Sequence, residues 1–159
     1  MTILSARVYP VISFHHAAHA HRVATGQRPM LDLDVLETWD WPETDDRAPE
    51  VVRLHGVIGA SRSWRRALNA AERLDGFCAG AILVNHMGSD DLRLCEMECA
   101  LTDTALVQQA GEGAEVRIPG RPGRCVGARR RTFDRWVEEL IYKQTLDATV
   151  IHNIQEEAA

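Results

Sequence analysis

The sequence predicts an α+β fold, a mostly antiparallel or mixed sheet packed by two to three helices in a single domain. Three observations carry this. Strand-like and helical patterns follow one another without the regular alternation of a doubly wound fold. No glycine fingerprint leads from a strand into a helix. A chain of 159 residues with an ordinary apolar content fits one domain and can bury a core without a second.

Ile3 to Phe14 is β-branched and aromatic around Pro10, which predicts a strand at an edge or one broken by a bulge, because proline cannot donate to a ladder. His15 to Thr25 is alanine-rich and ends at Gly26, a short helix with a left-handed cap. Leu31, Leu33, Val35, Trp39 and Trp41 share one parity, against Asp32, Asp34, Thr38 and Asp40 on the other, the period-two signature of a half-buried strand. Residues 42–50 hold the turn formers and charges of an exposed loop.

Val51 to Ile58 reads as a strand with Gly56 as a bulge or point of close approach. Ser61 or Ser63 then caps a helix carrying Trp64, Ala67, Leu68, Ala71 and Leu74 at helical spacing. Its Arg62, Arg65, Arg66 and Arg73 are expected to face solvent. Phe77 to Met87 is a nearly continuous apolar run, a strand buried on both faces. Around Cys95, Met97, Cys99 and Leu101 the pattern predicts a hairpin strand, with a helix over 92–104 as the alternative, since Leu94, Met97 and Leu101 also have helical spacing. Ala105 to Gln109 and Ala114 to Ile118 are short strands joined by a glycine turn. Thr132 caps a final helix striped by Phe133, Trp136, Val137, Leu140 and Ile141, and a last strand is expected over Thr149 to Ile154.

The formal charge of -5 argues against indiscriminate nucleic-acid affinity, which rests on many cationic phosphate contacts. Arg7 and Pro10 interrupt the apolar N-terminus, so no export signal is visible, and no run approaches a membrane span. Without an export signal Cys78, Cys95, Cys99 and Cys125 are expected as reduced, buried thiols in a cytoplasmic protein with no membrane partner.

Charge is concentrated rather than spread. Residues 117–131 form an Arg/Gly/Pro-rich loop ahead of the last helix, and seven arginines fall between Val116 and Arg135 against Asp134 alone. Arg121, Arg124, Arg129, Arg130, Arg131 and Arg135 are the candidate anion-binding residues, because guanidinium forks match phosphate and carboxylate and a helix N-terminus favours anions. Their partner can be nucleic acid, an acidic protein surface, or the protein's own carboxylates. The stretch from Asp32 to Glu50 holds eight acids, so opposite blocks can also mate between copies and give a homo-oligomer.

Pro119-Gly120-Arg121-Pro122-Gly123-Arg124 resembles the core of an AT-hook, which implies insertion into the minor groove of A·T-rich DNA; Pro119 stands where that family has an arginine. His15 and His19 lie one turn apart on the expected helix, and with His21 they form a candidate site for a divalent metal that needs a third converging ligand. His19-Ala20-His21, taken with Tyr142, resembles the His-x-His and helical tyrosine of the HUH endonucleases, although that family carries its histidines on a strand. There is no Gly-x-Ser-x-Gly elbow and no Walker A loop; Lys143 is the only lysine. The expected function is a small non-enzymatic binding or assembly protein that contacts an anionic partner through the arginine-rich loop. The alternative is a metal-dependent hydrolase or nuclease using His15, His19 or His21.

Overall fold

The computed structural model describes residues 1–39, 41, 47–85, 87–111, 113–122 and 131–157, and only the backbone of 131 and 150–157. Eleven elements follow in order: β1 (Thr2–Ile3), β2 (Ala6–Phe14), α1 (His16–Ala24), α2 (Leu33–Thr38), β3 (Val52–Gly59), α3 (Trp64–Glu72), β4 (Ala79–Val84), α4 (Ser89–Leu101), β5 (Ala105–Ala110), β6 (Gly113–Ile118) and α5 (Arg131–Glu157). The α+β class and the mixed sheet are as expected. The chain divides into two compact units, neither contiguous in sequence: Met1–Ile12 with Leu54–Val126, and Ser13–Arg53 with Gly127–Ala159.

The sheet has the order β1-β2-β3-β4-β5-β6. Its middle strands β3, β4 and β5 are parallel, while β1 with β2 and β5 with β6 are antiparallel. The β3-α3-β4-α4-β5 stretch therefore does alternate, which the sequence pattern concealed because helix α4 reads as a strand. Consecutive parallel strands joined by same-handed crossovers place both helices on one face. Accordingly Ala67, Leu68 and Ala71 of α3, Cys95 and Cys99 of α4, and Ile82, Val84 and Leu106 of the strands form one buried cluster.

Glycine makes that packing close. A Cβ on Gly59 would overlap the backbone carbonyl of Ala67 in α3, so only glycine lets β3 and α3 meet here. Gly56, expected as a point of close approach, would carry its Cβ 3.0 Å from the Ala79 carbonyl oxygen of β4. The opposite face of the sheet is not covered by α3 or α4. Arg7 and Tyr9 of β2 and Leu83 of β4 lie there, exposed, in the two-residue alternation that buries Ala6, Val8, Ile82 and Val84.

Pro10 fits β2 for a directional reason. The Val8 N–H donates to the Met1 carbonyl, so the even positions of β2 point their backbone groups towards β1. Pro10 lies on that same side of β2, past the residues that pair with β1.

Three expected strands are helical. Over Leu33–Thr38 the period-two pattern gives way to α2, because the Asp32 carboxylate accepts from the N–H groups of Asp34 and Val35 and caps the first turn. Only Leu36 of this helix is buried, and the helix packs against α5. Cys95 and Cys99 sit four residues apart on the inner side of α4 with Leu92, while Met97 and Leu101, the residues that suggested a strand face, are 52% and 75% exposed. The expected strand at 149–154 is the continuation of α5. Helix α1 keeps its predicted end: Gly26 is left-handed, and Gln27 and Gly26 donate to the Arg22 and Val23 carbonyls in a Schellman arrangement. Of the loop expected at 42–50, residues 42–46 lie outside the described residues. Among the described residues no helix is long and apolar enough to cross a membrane.

Candidate functional site

In the unit built on the sheet, β3 and β4 end side by side, and their chains turn into α3 and α4. Parallel strands open a crevice at their carboxyl ends, where the helices begin and their N–H groups point outward. Here that crevice is a cleft of about 800 Å³. Arg7 and Tyr9 of β2 form one wall. Gly59 to Trp64, the passage from β3 into α3, forms the second, and Leu83, Val84, Asn85, Met87 and Asp91 form the third.

The turn into α3 is held by the Ser63 N–H, which donates to the Ser61 hydroxyl at 3.2 Å. Ser63 occupies the cap position without a side-chain cap bond, so the first N–H groups of α3 are not satisfied by that hydroxyl. Arg7 and Arg62 line the cleft, and their side chains make no hydrogen bond or ion pair with the described residues. Asp91 is the opposing charge. It lies in the first turn of α4, where a carboxylate complements the helix dipole.

Comparison with known proteins supplies no template for this cleft. No known family, curated protein or solved structure matches the chain.

The other unit holds a different concentration of polar groups. Arg22 of α1 is 0% exposed and donates to both carboxylate oxygens of Glu139 in α5, at 2.8 and 2.9 Å. Its guanidinium also reaches the Arg28 carbonyl at 2.7 Å and stacks 5.0 Å from the centre of the Tyr142 ring. Glu139 accepts further from the Met30 N–H and from Arg135. Buried charge is tolerated here because it is paired and hydrogen-bonded at nearly every site.

The predicted anion-binding arginines fall out as follows. Arg135 is directed at the protein's own groups: Glu139 at 3.0 Å, the Ala48 carbonyl at 2.9 Å and Glu50 at 3.9 Å, with its guanidinium over Trp39. Arg121 pairs with Asp75 and donates to the Asp75 and Cys78 carbonyls. Its loop is fixed at Gly120, which is left-handed and whose Cβ would overlap the Ala105 backbone nitrogen. Arg124, Arg129 and Arg130 lie outside the described residues, as does Gly123 of the AT-hook-like run, and the side chain of Arg131 is likewise undescribed.

Of the histidines, His19 is brought to Tyr142, its Nδ1 lying 2.9 Å from the phenolic oxygen, and its ring packs beside Phe14. His15 precedes the helix, and His21 is exposed. Two residues along a helix turn a side chain by about 200°, so His19 and His21 leave α1 in opposite directions. Among the described residues no group of three His, Cys, Asp or Glu side chains could hold a metal ion. Burial pushes the Tyr142 phenol up, with Arg22 opposing and Glu139 adding to the shift. Burial also drives the Cys99 thiol up to about 12, reinforced by Cys95, Glu72 and Glu98, so this cysteine is a core group rather than a nucleophile.

Sequence reasoning passed over the cleft. Its signal was the run from an apolar strand through Gly59 and Ser61-Arg62-Ser63 into a helix. Arg62 there looked like one more solvated arginine.

Proposed function

We propose that this chain is a binding protein for an anionic, phosphate-bearing ligand, and that the anion seats in the cleft at the ends of β3 and β4. One observation supports this above the rest: Arg7 and Arg62 converge on the cleft without partners among the described residues, beside Ser61, Ser63 and the start of α3. Guanidinium groups supply charge and directed donors, a hydroxyl supplies a further donor, and the helix end contributes unpaired N–H groups. The general expectation of an anionic partner is kept and the cleft is offered as its seat; of the expected anion-binding residues, Arg121 and Arg135 are engaged internally.

The test uses ribose 5-phosphate and inorganic phosphate as probes, with binding followed by calorimetry and by the rise in melting temperature at saturating ligand. Arg7→Ala combined with Arg62→Ala should weaken binding by at least tenfold and flatten its dependence on salt, with the melting temperature of the free protein nearly unchanged because both side chains are exposed. Equal binding by this double variant, or no binding of either probe to the wild type, overturns the reading.

A further inference from the structure

We infer that the ligand is a nucleoside phosphate, free or at the end of a nucleic-acid strand, whose base lies on Tyr9. This rests on the anion-binding reading of the same cleft and adds the chemistry of the remainder of the ligand.

Size is the first consideration. A lone phosphate occupies a small fraction of about 800 Å³, a volume within the range of sites that enclose a drug-sized molecule. The walls also differ in character along their length. Arg62, Ser61 and Ser63 gather at the start of α3, whereas Tyr9 and Leu83 present apolar surface on the sheet side. A ligand complementary to both has an anionic end and an apolar body.

Tyr9 narrows the class. Its side chain is 61% exposed on a face that α3 and α4 leave uncovered, and no ring of the protein stacks on it among the described residues. An aromatic residue so placed loses nothing by receiving a planar ring, and base-aromatic stacking is favourable for any of the bases. Arg7 stands two residues away on the same side of β2, about 7 Å along the strand, a span that a sugar bridges between base and phosphate. Asn85 can donate and accept together, as the edge of a base requires, and Asp91 can accept from a sugar hydroxyl. That role also gives Asp91 a purpose beside two guanidiniums.

The experiment compares adenosine, cytidine, guanosine and uridine 5′-monophosphates with ribose 5-phosphate on the full chain, by calorimetry. At least one nucleotide is expected to bind about tenfold more tightly than ribose 5-phosphate. Tyr9→Ala should remove that advantage while leaving ribose 5-phosphate binding unchanged, and Tyr9→Phe should restore it. If every nucleotide binds no better than ribose 5-phosphate, the inference falls and the anion-binding reading stands; if neither class binds, both fall. A 5′-phosphorylated oligonucleotide that binds more tightly than the mononucleotide assigns the source to a strand end, and equal or weaker binding assigns it to the free nucleotide.

Discussion

In the unit that contains α5, Arg22 and Arg135 direct their donors at Glu139, Glu50 and backbone carbonyls, whereas in the unit that contains the cleft Arg7 and Arg62 have no partner among the described residues. The residue type is the same and the surroundings decide its use. A guanidinium withdrawn from water must be answered by charge and acceptors within the fold, and the position then specifies packing. One left at the mouth of a parallel sheet retains hydration and can exchange it for a ligand. Concentrated arginine in a sequence therefore signals either outcome.

The largest expected effect breaks the buried side of this contrast. Glu139→Ala strands Arg22 and leaves the Met30 N–H without its acceptor, and it should cost about 4 kcal/mol in urea unfolding. Replacing both members, Arg22→Met with Glu139→Leu, should cost less than the single change, because Arg22 is no longer buried without its carboxylate; Arg135 and the Met30 N–H still lose Glu139 in both variants. If the single and double variants unfold alike, the pair does not act as a unit. Next in size is Gly59→Ala on the side of the cleft. The added methyl must push α3 away from β3, so stability should fall by about 2 kcal/mol and ligand binding should fall with it. A variant that loses stability yet binds normally would separate the cleft from the strand-helix contact on which it is built.

Much of this architecture was legible in the sequence, and the failures share a cause. The helices at 16–24 and 64–72 and the hairpin strands of β5 and β6 follow from periodicity and from caps or turn glycines that agree with it. At Leu33–Thr38 a two-residue alternation competed with an aspartate cap, and the local hydrogen bonds prevailed. In α4 the inward face is built from cysteines, and the larger Met97 and Leu101 are left outside, so hydrophobicity alone pointed to the wrong face. Reading α4 as a strand removed the second crossover helix, and with it the parallel sheet whose strand ends make the cleft. The buried cluster was hidden differently: Arg22 and Glu139 are far apart in sequence, and nothing local marks either as buried.

The smallest effects give the two regions opposite responses to acid. In the α5 unit burial raises the Glu50 pKa, but the hydrogen bond and charge of Arg53, with Arg135 and His15, outweigh it and hold the carboxyl below its usual range. Its stabilising contribution is present above the ordinary glutamate range and is lost as pH falls through the lowered folded value. In the sheet unit Glu72 is raised, first by burial and then by the charges of Glu98 and Asp75. Stability linked to its protonated form is complete below the ordinary range and is lost as pH rises through the raised folded value. Glu50→Gln should therefore destabilise at neutral pH by about 0.5 kcal/mol, and Glu72→Gln should stabilise by a similar or smaller amount. Both differences from wild type should shrink as the solution is acidified, the first over a lower pH window than the second. Unfolding curves at stepped pH resolve the sign directly, and a shared sign would mean that the local charges named here do not control these carboxylates.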